Sequence, residues 1–223
     1  MNAGRIDIQA AARDGAGTAA TSTGTAGMNG RHGGTGRGGF ALWFTGLSGA
    51  GKSTITRILA RQFRESGTSI EILDGDVVRA NLSPELGFTK QDRDLNIRRI
   101  AFVSQLLVRN GVPVMVAAIS PYREERDLAR SIVGAERFIE VFVDCPLEVC
   151  IERDVKGLYA KALAGEIKNF TGVSDPYEAP VEASLVLTTH PDSPEQSALR
   201  VLEYLQAEGW LQSAREVSAP ALV

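Results

Sequence analysis

From Phe40 onward the chain alternates between two kinds of apolar pattern. Short unbroken runs at Ala41–Thr45, Ser69–Leu73, Val112–Ala118, Phe138–Val143 and Ser184–Leu187 suit strands buried on both faces. Between them, apolar residues recur at helical spacing. Ile55, Ile58, Leu59 and Phe63 line one face of a helix over Lys52–Arg64. Leu95, Ile100, Val103 and Leu107 do the same over Gln91–Arg109, which Gly111 ends. Helices are also predicted over Glu124–Ile132, Leu147–Arg153 and about Pro194–Glu208. Strand following helix in this way implies βαβ crossovers and a parallel sheet with helices on both faces. Residues 154–183 break the rhythm with charges, glycines and two prolines but no strand, and a loop this long inside a compact domain reads as a lid.

Before Phe40 there is no periodicity and no aromatic residue. Composition explains why. Eleven of the chain's 23 glycines fall in residues 1–39, so the glycine excess is local. A segment of this kind cannot bury enough apolar surface to offset backbone entropy, and 1–39 is predicted to be a disordered Gly-rich tail. Met28 is an alternative translation start. Residues 40–211 form the predicted domain, and 212–223 a flexible C-terminal tail. The chain carries a formal net charge of −3, and its tail is basic, so the body is the acidic part. An acidic body argues against nucleic acid as a partner. No run of about 18 apolar residues is present, so no membrane span is expected. Two cysteines, Cys145 and Cys150, are too few for a disulfide framework and lack a zinc spacing. They read as reduced thiols in a cytoplasmic protein.

The chemistry concentrates at Gly46-Leu47-Ser48-Gly49-Ala50-Gly51-Lys52-Ser53, a G-x-x-x-x-G-K-[ST] loop between a strand and a helix. Such a loop curls so that backbone N–H groups point at phosphate oxygens, helped by the helix N-terminus. Lys52 can neutralise phosphate charge, and Ser53 can ligate Mg²⁺. The fold class that follows is a P-loop NTPase, a three-layer α/β/α domain with a central parallel sheet of about five strands and a lid segment. The third strand ends without an aspartate. The acidic group at a strand end is instead Asp74-Gly75-Asp76, and C-terminal strand ends share one edge of a parallel sheet. This pair can bind Mg²⁺, orient a hydroxyl or accept its proton; it can equally be a capped turn opening a helix with Asp76 as N-cap. Neither His32 nor His190 sits in a motif.

Several stretches together resemble the adenylylsulfate kinases. Trp43-Phe-Thr-Gly-Leu-Ser-Gly-Ala-Gly-Lys-Ser-Thr54 is similar to their phosphate loop, and Leu73-Asp-Gly-Asp-Val-Val-Arg79 to the element after their second strand. Leu86-Gly-Phe88 with Asp92-Arg93-Asp-Leu-Asn96-Ile-Arg-Arg99 is similar to their substrate helix. Ile119-Ser-Pro-Tyr-Arg123, Lys156-Gly-Leu-Tyr159 and Asn169-Phe-Thr-Gly172 follow in the family's order. The resemblance covers about residues 40–211. It implies transfer of the γ-phosphate of ATP, with Mg²⁺, to the ribose 3′-hydroxyl of adenylyl sulfate.

By resemblance, the loop from Gly46 to Thr54 and Arg153 bind ATP, and Ser53 and Asp74 hold the metal. Lys52, Asp74, Ser120 and Lys156 carry the catalytic roles. Asp76, Arg79, Phe88, Arg93, Asn96, Ile119, Ser120, Lys156, Asn169 and Phe170 hold adenylyl sulfate. Forked donors on Arg79 and Arg93 suit a phosphosulfate, and Phe88 with Phe170 suits stacking on adenine. Direct transfer needs no protein nucleophile, so Ser120 reads as a binding or loop residue rather than a phosphoserine. Leu95 stands where the family usually has Glu, and Val155 where Pro is frequent. The resemblance further implies a homodimer and functional association with ATP sulfurylase. The competing reading is a regulatory domain that senses nucleotide without turnover.

Overall fold

The computed structural model describes residues 38–211. The tails expected at 1–39 and 212–223 fall, apart from Gly38 and Gly39, outside the described residues. Five strands build one sheet: β1 (Ala41–Thr45), β2 (Glu71–Asp74), β3 (Val114–Ala117), β4 (Phe138–Asp144) and β5 (Leu185–Thr188). They run parallel in the order β2-β3-β1-β4-β5. Seven helices connect and cover them: α1 (Lys52–Glu65), α2 (Gly75–Leu82), α3 (Lys90–Arg109), α4 (Arg123–Val133), α5 (Leu147–Arg153), α6 (Leu158–Leu163) and α7 (Pro194–Ala207).

The central strand shows why an unbroken apolar run is needed. Every residue of β1 is buried. Successive side chains point to opposite faces. Leu42 and Phe44 join Ile55, Leu59 and Phe63 of α1 and Val201 and Leu205 of α7 in one core. Ala41 and Trp43 join Ile97 and Ile100 of α3 and Ala129 and Val133 of α4 in the other. Each large side chain buried in this way contributes about 1.5–3 kcal/mol. Among the described residues, no helix is long and apolar enough to cross a membrane.

Helix ends are set by local chemistry. Thr89 opens α3 with a reciprocal box: its hydroxyl accepts from the Asp92 amide, and the Asp92 carboxylate accepts from the Thr89 amide. Ser193 and Gln196 do the same for α7, with Pro194 in its first turn.

Three expectations are corrected. The third strand is shorter than Val112–Ala118, because the Val112 amide closes the end of α3 on the Leu107 carbonyl and Pro113 has no N–H to offer. The lid region is not without regular structure, since α6 lies inside it. The carboxylate of Asp154 accepts from the Tyr159 and Ala160 amides, both at 3.0 Å, and so anchors its start. A helix does open at the acidic turn, but its N-cap is Asp74, which accepts from the Asp76 amide at 3.0 Å.

Candidate active site

The C-terminal ends of the parallel strands form one edge, and the loops leaving it enclose a cleft of about 1000 Å³. Nineteen of the 21 site residues expected from the sequence line it; Gly46 and Leu47 are the two that do not. Those two serve the loop from behind. Their carbonyl oxygens each accept a hydrogen bond from Lys52 Nζ at 2.7 Å. Gly46 has φ 146°, and a Cβ there would stand 2.5 Å from the Val143 carbonyl oxygen. That position needs glycine for conformation and for space together.

Lys52 is buried at the base of the loop. Its ammonium is pushed down to about 8, first by burial and then by repulsion from Lys156, against weaker support from Asp74 and Asp76. Ser53, in the first turn of α1, donates to Asp74 Oδ2 at 2.6 Å. The β2 end therefore brings a carboxylate directly onto the loop's hydroxyl. That pair suits Mg²⁺ carried by a nucleotide, because Mg²⁺ keeps several waters and phosphate oxygens and takes one or two protein ligands. Among the described residues, no group of three or more His, Cys, Asp or Glu side chains is placed to hold a metal.

The other end of the cleft is built by α2, the Leu86–Phe88 turn and the start of α3. Arg79 donates to the Gly87 carbonyl at 2.6 Å and lies over the Phe88 ring, 4.7 Å from its centroid. Burial lowers the Arg79 pKa, and nearby Arg93 adds to the effect. Phe88 is 57% exposed, an unusual state for a phenylalanine, and its ring lines the cleft rather than the core. Asn96 is buried beside it, and its Oδ1 has no hydrogen-bond partner. A buried amide oxygen left unpaired costs about 1–3 kcal/mol, so this one marks a place for a donor.

Arg93 is less free than its sequence role suggests. Nε donates to the Phe88 carbonyl at 3.0 Å, and the two terminal nitrogens donate to Thr171 Oγ1 and the Asn169 carbonyl. It ties the turn before α3 to the lid. Phe170 is buried edge-on against Tyr159, with ring centroids 5.0 Å apart, yet still reaches the cleft. Lys156, at the lid's entry, is paired with Asp76 across the opening. Ser120 sits at φ 41°, and its hydroxyl is buried, accepting from Trp43 Nε1 at 3.1 Å.

Arg153 donates to the Thr189 carbonyl at 2.8 Å, and Thr189 Oγ1 donates to the Ala50 carbonyl at 2.9 Å. Thr189, Asp192 and Pro194 line the cleft beside the phosphate loop, and sequence reasoning missed them. The signal was available, since Thr189 directly follows a strand whose C-terminal end must reach the same edge. Thr171, the lid partner of Arg93, was missed as well, and only the fold connects it to α3.

Comparison with known proteins agrees with this geometry. A family described as adenylylsulphate kinase matches residues 38–188. The chain belongs to this family. A curated adenylyl-sulfate kinase of Halothermothrix orenii is 54% identical over 181 residues, which covers 81% of this chain and 97% of that one. A probable bifunctional SAT/APS kinase of Sorangium cellulosum is 52% identical over 173 residues, 78% of this chain and 29% of that longer protein. Among solved structures, the Mycobacterium tuberculosis APS kinase CysC in complex with AMPPNP and APS superimposes with a TM-score of 0.73 at 46% identity, covering 76% of this chain and 98% of that one.

Proposed function

We propose that the chain transfers the γ-phosphoryl group of ATP to the ribose 3′-hydroxyl of adenylyl sulfate, releasing 3′-phosphoadenylyl sulfate and ADP. The observation that carries this reading is one cleft with a triphosphate loop at one end and the Phe88–Asn96 wall, with its unpaired amide oxygen, at the other. The solved complex of the mycobacterial relative with an ATP analogue and APS supports the same division.

In this reading the Gly49–Thr54 amides and Lys52 hold the ATP phosphates, and the Thr189–Pro194 segment with Arg153 borders its base. Ser53 and Asp74 would hold Mg²⁺, which would supply charge neutralisation on the phosphate oxygens. Arg79, Arg93 and Lys156 face the phosphosulfate of the acceptor; Phe88 and Phe170 face its adenine, and Asn96 Oδ1 accepts from it. The 3′-oxygen bonds to the γ-phosphorus as the bond to the β,γ-bridging oxygen breaks. The hydroxyl proton passes to the carboxylate of Asp74, at the N-terminus of α2. Positioning and charge placement do the work, and Ser120 contributes shape rather than a phosphoryl intermediate.

Homodimerisation, a cytoplasmic location and supply of adenylyl sulfate by an associated ATP sulfurylase belong to the same proposal. The fused relative from Sorangium supports the last of these. The test is ADP formation from Mg-ATP with and without adenylyl sulfate, with the product's phosphate located by NMR. Turnover that needs adenylyl sulfate and places phosphate on the 3′-oxygen is expected. ADP release without the acceptor, or binding without turnover, overturns the reading.

A further inference from the structure

Arg126 of α4 does not line the cleft, yet it holds two segments of the cleft's wall. Its guanidinium is buried, 2% exposed, and divides its donors among three acceptors. Nε donates to Glu140 Oε1 on β4 at 2.8 Å. One terminal nitrogen donates to the Ser120 carbonyl at 2.7 Å, and the other to the Glu178 carbonyl at 2.6 Å. Glu140 is fixed in turn, because its second oxygen accepts from Arg130 at 3.0 Å.

The two carbonyls belong to segments that have to meet. Ser120 lies in the left-handed region, where a residue other than glycine is strained and stays only if its surroundings hold it. Glu178 lies where the lid returns to the domain, and its amide donates to the Pro121 carbonyl at 2.8 Å. A second path closes the same ring. Tyr177 OH and Thr45 Oγ1 stand 2.9 Å apart, and Thr45 Oγ1 donates to the Ile119 carbonyl at 2.7 Å. The Arg126 guanidinium also faces the Tyr177 ring, 5.9 Å from its centroid.

Burying an ion pair here is costly compared with packing two apolar side chains, so the charge needs a reason beyond stability. Only a planar fork reaches three acceptors in different directions at once. We propose that Arg126, anchored by Glu140, is a positioning residue that sets the Ile119–Ser120 wall and the lid's exit together, and through them the seat of the acceptor nucleotide. This rests on the reading that Ile119, Ser120 and the lid contact adenylyl sulfate.

The experiment is steady-state kinetics on Arg126→Lys beside Arg130→Lys, with thermal unfolding followed by circular dichroism to confirm that each is folded at the assay temperature. Lysine keeps the charge opposite Glu140 but offers its donors from a single atom. The expected result for Arg126→Lys is a KM for adenylyl sulfate raised about tenfold or more, with the KM for ATP within about twofold of the parent. Arg130→Lys disturbs the same carboxylate without touching either carbonyl and is expected to leave both KM values unchanged. Unchanged kinetics in folded Arg126→Lys, a parallel rise in both KM values, or the same split in Arg130→Lys would each overturn the inference. If Arg126→Lys does not fold, Glu140→Gln weakens the anchor while keeping an acceptor; the same split is expected, and parent-like KM values refute the proposal. A parent chain that does not turn over adenylyl sulfate removes the reaction reading and this inference with it. A parent that does, paired with an unaffected Arg126→Lys, removes this inference alone.

Discussion

Affinity for Mg-ATP should fall as pH rises through about 8, and Lys52 should be the cause. Its ammonium is buried, repelled by Lys156, and pushed down to about 8 from an ordinary value of 10.5. The sign follows from which form binds. Phosphate oxygens attract the ammonium and not the neutral amine, so binding pulls the pKa back up and takes up a proton. From pH 7 to pH 9 the protonated fraction of a group with pKa about 8 drops from about nine-tenths to about one-tenth. The dissociation constant should therefore rise about tenfold, or about 1.4 kcal/mol. At pH 8 about half a proton should be taken up per ATP bound. Cys150 and Tyr177 do not interfere, since burial pushes both up to about 12, above this window. Isothermal titration calorimetry in buffers of different ionisation enthalpy, without the acceptor, reads both quantities. Lys52→Met should bind more weakly at pH 7, show no pH slope and take up no proton at this site. A flat dissociation constant in the parent, or an equal slope in Lys52→Met, would refute the reasoning.

Arg93→Ala should raise the KM for adenylyl sulfate and leave the KM for ATP nearly unchanged, because its bonds go to Phe88, Asn169 and Thr171 at the acceptor end. A fall in ATP affinity in steady-state assays would reverse the placement of the two nucleotides. Asp74→Asn should lower kcat by about 10²-fold or more and raise the Mg²⁺ needed for half-maximal rate, as it weakens the acceptor that meets Ser53 at 2.6 Å. A parent-like Mg²⁺ titration together with a parent-like kcat would show that Asp74 only caps α2. Gly46→Ala should abolish ATP binding and destabilise the domain, since its methyl would stand 2.5 Å from the Val143 carbonyl oxygen. Chemical denaturation should show a loss of about 1–3 kcal/mol, and a parent-like midpoint would contradict the contact.

The elements legible in the sequence are those whose pattern is long or whose chemistry is local. β1, α1 and α5 lie where their apolar spacing puts them, within a residue at each end. The phosphate loop is legible because a single contiguous stretch carries its glycines, lysine and serine. The six-residue α6 is not legible, lying among the charges and glycines of the lid, and α2 is legible only as one of two readings of the acidic turn. The capped-turn reading places the cap at Asp76, two residues beyond the actual Asp74, since either aspartate of Asp-Gly-Asp satisfies the local rule. What chooses Asp74 is that β2 ends there, a tertiary fact. Arg126 was invisible for the same reason: its acceptors lie 6, 14 and 52 residues away and meet only once the sheet and lid are folded. Arg93 was recognised as a site residue, but its work as a strut depends on Thr171, 78 residues later.

A common feature of the site's cations follows. Lys52 is held by the carbonyls of Gly46 and Leu47, Lys156 by Asp76, and Arg93 by Phe88, Asn169 and Thr171. None of these is an idle charge waiting in water. Each phosphate contact therefore adds to, or exchanges with, a partner already in place, and its net worth is less than the full strength of an isolated charge-assisted bond. Adenylyl sulfate and ATP gain most where the exchange also relieves a cost already present. The clearest such cost is the desolvated Lys52 ammonium, with the unpaired Asn96 oxygen as its counterpart at the other end. Binding at one end of the cleft is thus predicted to be pH-dependent near 8, and binding at the other, so far as it rests on Asn96, is not.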